Sequence, residues 1–172
     1  MAIYISYLIV KFTATLLYNN IIVVKLTLNQ LEMFITIIKI NSSTELDKAF
    51  SIRKQVFCIE QNVSEDIEMD KFDKDATHIL AYINDKPVGT ARWRFTENGA
   101  KMERFAVLNE FRGKGVGEAL VNYTLGKLKD YDCIYLNAQE SVIKFYEKFG
   151  FDVVGDRFYE ADIPHKMMIL KS

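Results

Sequence analysis

Hydrophobic and polar residues alternate along several segments of this chain and predict a series of short strands. The alternation has period two, as in strands with one buried face, over residues 34–40, 76–83, 88–96 and 100–108. Short polar turns join the last three segments, which we therefore expect to pair as antiparallel neighbours. In the last of them, residues 101, 103, 105 and 107 are predicted to face one side and residues 102, 104 and 106 the other. Further strands are predicted at residues 133–138, 151–154 and 166–170.

Helical spacing of apolar residues occurs in three places between these strands. Ser42 followed by Glu45 is a capping-box signature at the start of the first helix, and Gly150 is placed to end the last one. The middle helix follows a glycine-rich loop, residues 112–117, which itself follows a strand. This order predicts an α+β fold with a mixed, mostly antiparallel central sheet, flanking helices and one βαβ crossover.

The composition narrows the classes of protein to which the chain can belong. Its 172 residues, 49% of them hydrophobic, can bury one ordinary core, which excludes disorder and several domains. The formal net charge of -1 gives no electrostatic indication of nucleic-acid binding. Two cysteines and two histidines are too few and too poorly spaced for a zinc site, so no metal is predicted. The cysteines are interpreted as reduced thiols, which predicts a cytoplasmic protein.

Residues 1–32 form an apolar segment with only three charged side chains, Lys11, Lys25 and Glu32. One interpretation is a membrane anchor, but polar residues interrupt it before about 18 apolar residues accumulate, so no stable membrane insertion is expected. A secretory signal fits poorly because no basic region precedes the apolar residues. A third interpretation makes Met33 the true start, with a mobile appendage or a weak membrane contact as the alternative. We therefore expect an N-terminal extension, residues 1–32, that need not belong to the native domain, followed by a domain of residues 33–172.

Two charged residues fall on the apolar face of the first predicted helix. Arg53 and Glu60 lie seven positions apart, so a regular α-helix places them on the same side as the buried residues. They either form an ion pair inside the fold or line a polar cavity, and the sequence favours neither. The acidic stretch at residues 65–75 is predicted to be a solvated loop, with attraction of a cationic amine as the alternative.

The loop Arg112-Gly-Lys-Gly-Val-Gly117 is the strongest candidate for a binding site. A glycine-rich turn between a strand and a helix presents backbone N–H groups at the positive end of the helix dipole, where a phosphate or pyrophosphate can bind. The side chains of Arg112 and Lys114 would add positive charge. The dinucleotide and P-loop motifs do not match, and a tight turn without a ligand is the alternative.

Arg112, Gly115 and Gly117 resemble the acetyl-coenzyme A signature Arg/Gln-x-x-Gly-x-Gly/Ala of the GNAT N-acetyltransferase superfamily. The preceding Glu103-Arg-Phe-Ala-Val107 and the later Phe145-Tyr-Glu-Lys-Phe-Gly-Phe151 resemble further segments of that superfamily. Residues 53–61, 155–160 and 163–165 are similar to a small bacterial subgroup. The resemblance covers about residues 33–170 and implies the acyl-CoA N-acyltransferase fold.

The resemblance also implies a site for acetyl-CoA as co-substrate. The backbone around Val107 would pair with the pantetheine arm, and the loop amides would hold the pyrophosphate. The residues assigned to the cofactor in this way are Phe105, Ala106, Val107, Arg112, Gly113, Lys114, Gly115, Val116, Gly117, Gln139 and Tyr146. The chain departs from many members at Gln139, where they have Asn. Because the first helix borders the acceptor cleft in family members, Arg53 and Glu60 are candidate substrate-binding residues.

Acetyl transfer to an amine needs an acid that protonates the departing thiolate and a base that accepts the amine proton. By resemblance Tyr146 is the candidate acid, with a core aromatic residue as the alternative. Glu103 is the candidate base, with an ion pair to Arg92, Arg94 or Lys101 as the alternative. His78 and His165 are further candidates, although a lone histidine on a strand is more often structural.

The predicted function is therefore transfer of an acetyl group from acetyl-CoA to a primary amine of a small molecule or peptide. The amine would attack directly in a ternary complex, and the protein would act as a monomer or homodimer without nucleic acid. The alternatives are a non-catalytic acyl-CoA binding or sensing module and an anion-binding interaction protein.

Overall fold

The computed structural model describes residues 11–18, 21–28 and 31–171 and places their strands in one nine-stranded sheet. The strands are β1 (Lys11–Tyr18), β2 (Ile21–Leu28), β3 (Leu31–Lys39), β4 (Thr77–Ile83), β5 (Lys86–Thr96), β6 (Gly99–Val107), β7 (Ile134–Gln139), β8 (Phe151–Glu160) and β9 (Ile163–Leu170). Their order is β1-β2-β3-β4-β5-β6-β7-β9-β8, and every neighbouring pair is antiparallel except β6 with β7. The predicted fold class is confirmed.

The α-helices of this part of the chain are α1 (Ser43–Arg53), α2 (Glu65–Glu68), α3 (Val116–Leu128) and α4 (Ile143–Glu147). The predicted start of the first helix is confirmed, because the Ser42 hydroxyl accepts a hydrogen bond from the Glu45 amide at 3.2 Å. Helix α1 then continues into a π-helical segment, Lys54–Glu60. Gly150 follows α4 with a φ of 89°, as expected of a helix-ending glycine.

The helices cover both faces of the sheet and give the protein two hydrophobic clusters. Ile79 and Ala81 of β4 belong to a large cluster with Leu120 of α3. The residue between them, Leu80, belongs to a second cluster with Ala49 and Ile52 of α1. Since successive side chains of a strand point to opposite faces, α3 and α1 lie on opposite sides of the sheet.

Strands β6 and β7 separate after a short paired stretch. Their parallel pairing covers only Ala100 to Met102 with Ile134 to Leu136. Beyond it, residues 103–107 and 137–139 have no register with each other, and β7 pairs only with β9 on its other side. The divergence opens a cleft in the middle of the sheet, and the loop at residues 112–117 lies at its wider end.

The strict alternation predicted for β6 is wrong at Arg104. This residue has a φ of 57°, and the register between β5 and β6 shifts between Thr90 and Arg92. The shift is a β-bulge, in which two residues of one strand oppose one of its partner. As a result, Met102, Phe105 and Val107 contribute to the same hydrophobic cluster, whereas period two would have placed Met102 opposite the other two.

The segment predicted to be an extension contributes strands to the sheet. β1 pairs with β2, and β2 pairs along its length with β3, which contains Met33. Residues 1–10 lie outside the described residues. No helix of the described part of the chain is long and apolar enough to cross a membrane. The division into residues 1–32 and 33–172 stays a prediction.

Candidate active site

A cavity of about 1110 Å³ occupies the cleft between β6 and β7. One end lies against the glycine loop and the start of α3. The other end lies against α2 and the charged residues of β5 and β6. Most of the residues assigned to the cofactor line this cavity together, namely Phe105, Val107, Arg112, Gly113, Lys114, Gly115, Gly117, Gln139 and Tyr146. The remaining two, Ala106 and Val116, are buried in the hydrophobic clusters, so only their backbone is available to a ligand.

The glycine loop has the backbone geometry of an anion site. Gly113 and Gly115 have φ values of 72° and 82°, in the left-handed region that residues with a Cβ rarely adopt. Gly115 is the N-cap of α3, and no side chain caps the helix there. The first amides of this 13-residue helix therefore face the cavity without a side-chain acceptor, at the positive end of the helix dipole.

The two basic side chains of the loop are held by neighbouring groups. Arg112 donates to the Val107 carbonyl at 3.0 Å and to the Glu60 carboxylate. The Nζ of Lys114 lies 4.9 Å from the centre of the Phe111 ring. Glu60 thus ties the end of the π-helical segment to the loop.

Arg53 and Glu60 do not share one face, contrary to the prediction. The π-helical segment turns less per residue than an α-helix, so the seven-residue spacing no longer superimposes them. Arg53 is 1% exposed and does not line the cavity, and it donates to Glu68 at 2.7 Å and to Asp73 at 2.6 Å. Arg53 therefore forms ion pairs inside the fold, the alternative that the sequence left open, and its partners are Glu68 and Asp73.

The acidic stretch is not the solvated loop that was predicted. It forms α2 and a 3₁₀ turn, Lys71–Asp75, and Glu68 is buried at 3% exposure. Asp70 accepts from Arg92 at 2.6 Å and 2.8 Å and from Arg104 at 3.0 Å. Burial opposes the charge of Asp70, but the hydrogen bonds and charges of the arginines outweigh it, and its pKa falls to about 2.

Tyr146 is almost fully buried, and its ring lines the cavity. The ring packs edge-on against Phe105, Phe145 and Phe151 at centroid distances of 6.2, 5.1 and 6.1 Å. Burial raises the pKa of Tyr146 well above its usual value, so the phenol stays protonated at neutral pH. Among the described residues, no hydrogen bond engages its hydroxyl. Tyr146 therefore places a protonated hydroxyl group among aromatic side chains at the cavity wall.

Glu103 lines the cavity but is surrounded by cations. It accepts from Arg92 at 3.1 Å and from Arg94 at 3.0 Å, and Lys101 lies 3.0 Å away. Burial opposes its ionisation, yet the hydrogen bond from Arg94 and the charges of Arg92 and Lys101 prevail, and the pKa of Glu103 falls below its ordinary value. The ion-pair alternative is thus present with all three partners, and a carboxylate held in this way is a weak base.

The two histidines differ in their access to the cavity. His78 lies outside it, with Nε2 at 2.8 Å from the Asp73 carbonyl oxygen. His165 of β9 lines the cavity beside Gln139, and its Nδ1 lies 2.8 Å from the Ile163 carbonyl oxygen. Because a carbonyl only accepts, Nδ1 carries the proton, and in the neutral ring Nε2 keeps its lone pair.

Sequence reasoning missed the contact that spans the cleft. Gln61, at the end of the π-helical segment, exchanges side-chain amide hydrogen bonds of 2.8 Å and 3.5 Å with Gln139 of β7. The two residues are 78 positions apart, and no local pattern links them. His165 was considered from the sequence, and the segment Ile163-Pro-His165 was the available signal for its place beside the cleft.

Comparison with known proteins identifies the family. The protein-family model described as the acetyltransferase (GNAT) domain matches residues 39–172 of this chain. The chain belongs to the GNAT acetyltransferase family. This acetyltransferase is 37% identical to YjcF of Bacillus subtilis, named an uncharacterized N-acetyltransferase, over 73% of this chain and 91% of that protein. It is 33% identical to protein ElaA of Escherichia coli over 72% of this chain and 86% of that protein.

Solved structures confirm the fold of the acetyltransferase. The crystal structure of Escherichia coli ElaA matches with a TM-score of 0.69 at 31% identity, over 76% of this chain and 93% of that one. A GNAT family acetyltransferase from Elizabethkingia anophelis with acetyl-CoA bound matches in fold with a TM-score of 0.59 at 18% identity, over 78% and 94% of the two chains. The predictions of family, fold and acyltransferase enzyme are confirmed, and acetyl-CoA is the co-substrate that the GNAT fold uses.

Within residues 11–18, 21–28 and 31–171, no group of three or more histidine, cysteine, aspartate or glutamate side chains is placed to hold a metal ion.

Proposed function

We propose that this protein transfers the acetyl group of acetyl-CoA to a primary amine by direct attack in a ternary complex. One observation supports this most strongly: a single cavity joins the glycine loop at the start of α3 to the buried hydroxyl-bearing ring of Tyr146. A site for binding alone would need only the loop, whereas a buried protonated phenol in the same cavity serves the chemistry of a leaving thiolate.

The residues present fit acetyl-CoA, which supplies the acetyl group as a thioester. The loop amides would bind the pyrophosphate, and the unpaired edge of β6 beyond Met102 would pair with the pantetheine amides. The amine nitrogen then attacks the carbonyl carbon, and the carbon–sulfur bond breaks. The Tyr146 hydroxyl gives its proton to the sulfur.

We assign the base to His165 in place of Glu103. The Nε2 lone pair of His165 is left available by the hydrogen bond at Nδ1, and the side chain lines the same cavity as Tyr146. Every oxygen of Glu103 is occupied by a cation. His165 would take the proton that the amine loses as the new carbon–nitrogen bond forms.

The test measures thiol release from acetyl-CoA over a panel of amines, with acetyl-CoA affinity measured separately by calorimetry. We expect Tyr146→Phe to lower kcat by about 10²–10⁴-fold while affinity for acetyl-CoA is retained. Tyr123→Phe is the matched control, because Tyr123 lies on the buried face of α3 and does not line the cavity. If both variants and the parent bind acetyl-CoA but none releases thiol with any amine, the non-catalytic binding module is the better description.

A further inference from the structure

The end of the cavity against α2, which we call the acceptor end, carries a network of ion pairs that contains more basic than acidic groups. We call this set the acceptor-end ion cluster; its basic members are Arg53, Arg92, Arg94, Lys101 and Arg104, and its acidic members are Glu68, Asp70, Asp73 and Glu103. Five cations face four carboxylates, so one positive charge is left over even when every carboxylate is ionised. Burial also raises the pKa of Glu68, which favours the neutral form of this side chain and so adds to the surplus of positive charge.

The carboxylate oxygens of the cluster are already occupied. Glu68 contacts Arg53 at 2.7 Å through one oxygen and Arg104 at 3.1 Å through the other. Both oxygens of Asp70 accept from Arg92, at 2.8 Å and 2.6 Å. Glu103 accepts from arginine at both of its oxygens. Little acceptor capacity therefore remains within the cluster for an ammonium group. Glu160 also lines the cavity but lies outside the cluster, and it accepts from Asn137 at 2.6 Å.

The cations retain donors that the described residues do not use. Arg94 donates through Nε and one terminal nitrogen, and Arg104 does the same. The Nη1 group of each makes no hydrogen bond among the described residues. Lys101 has three N–H groups and one carboxylate partner, Glu103.

These donors face the cavity. Arg94, Lys101 and Arg104 all line it, with 18%, 17% and 22% of their side chains exposed. Arg53 and Arg92 lie behind them at 1% exposure and balance the buried acids. The surplus charge is thus presented at the cavity wall, where burial strengthens its attraction for an anion.

We propose that Arg94, Lys101 and Arg104 bind a carboxylate of the acceptor, so that the substrate is an amine that also carries a carboxylate, such as an amino acid or a short peptide. One surplus positive charge matches one carboxylate, and planar guanidinium groups bind this group with paired hydrogen bonds. The proposal rests on the acetyl transfer proposed above. The proposal also differs from the alternative that the sequence offered for residues 65–75, which was attraction of a cationic amine. In the structure these acidic residues pair with arginines.

The experiment compares each acceptor with its carboxamide, which has nearly the same shape but no negative charge, and rates are compared per neutral amine because loss of the carboxylate lowers the pKa of the neighbouring amine. The panel contains the common amino acids and a set of dipeptides, each as free acid and as amide. We measure thiol release, and by calorimetry the binding of both forms to protein loaded with coenzyme A. We expect the best free acid to exceed its amide by at least about tenfold in kcat/KM and in affinity.

Lys101→Met tests the residues directly. It removes one charge while Glu103 keeps Arg92 and Arg94, so the buried network retains its other ion pairs. We expect the preference for the acid over the amide to fall by about tenfold, and Lys101→Arg to restore it. Lys171→Met is the matched control, because Lys171 also pairs with a single carboxylate, Asp152, but is exposed and outside the cavity.

The outcomes separate the two proposals. Turnover with amides equal to acids overturns the carboxylate site and leaves acetyl transfer intact. Binding that prefers acids without any turnover supports the carboxylate site and counts against acetyl transfer. A preference that Lys101→Met leaves unchanged, or no preference in either assay, overturns the carboxylate site.

Discussion

The proposed cofactor end of the cavity, at the glycine loop, and the proposed acceptor end, at α2, are built from different parts of the chain. The cofactor end is made by contiguous backbone, the loop at residues 112–117 and the helix that follows it. The acceptor end is made by side chains from α1, α2, the 3₁₀ turn, β5 and β6. Arg53 and Arg104, for example, both pair with Glu68 although they lie 51 positions apart in the sequence. A site formed by contiguous backbone can be predicted from a local sequence motif, whereas a site formed by charged side chains from distant positions has no local motif.

The largest effect is expected at the backbone site. Gly115→Glu places a side chain at a φ of 82° and a negative charge where the pyrophosphate would bind. We expect affinity for acetyl-CoA, measured by calorimetry, to fall by more than about 100-fold. Gly126→Glu is the matched control, because it adds the same charge to the same helix in open space. Equal affinities in the two variants would contradict the position of the site.

A loss of stability is expected when the side-chain site is broken. Glu103→Gln removes the negative partner of Arg92, Arg94 and Lys101 and leaves a second uncompensated charge in the cluster. We expect the free energy of unfolding, from denaturant titration, to fall by about 2–4 kcal/mol. Glu110→Gln, which removes the exposed partner of Lys86, should change it by less than about 0.5 kcal/mol. Similar losses in both variants would show that the acceptor end is not held by its charges.

The smallest effect is expected from removing residues 1–32. All residues that line the cavity lie at Val56 or later, and the pairing of β3 with β4 begins at Ile35. We expect residues 33–172 alone to keep kcat/KM within about twofold of the full chain, because both ends of the cavity remain complete. Loss of soluble protein or of activity in this shorter chain would assign residues 1–32 to the native domain.

The cofactor end was largely predictable because its elements follow one another. Strand, glycine loop and helix were each marked by local patterns, and the structure places Val107, Arg112 and Gly115 around one cavity. The same patterns did not distinguish Ala106 and Val116 from the residues that line the cavity. The side chains of both are buried in the hydrophobic clusters. Their burial depends on the helices that cover each face of the sheet.

The acceptor end escaped prediction for two physical reasons. Wheel analysis assumes regular helix geometry, and the π-helical segment separated Arg53 from Glu60. Alternation assumes an unbroken strand, and the bulge at Arg104 reversed the faces of β6. The acidic stretch looked solvated because its arginine partners lie far along the chain: Arg92 and Arg104 follow Asp70 by 22 and 34 positions.

The sequence by itself determined the order of the strands from β3 to β9 and of α1, α3 and α4, the capped start of α1 and the glycine loop, since hydrogen bonding and backbone freedom over a few residues decide these features. Only the tertiary structure decided that β6 and β7 diverge, that Tyr146 is buried against the cleft and that Glu103 is bound by three cations. Burial and charge pairing depend on which distant residues meet, and these determine whether a side chain is an acid, a base or part of an ion pair.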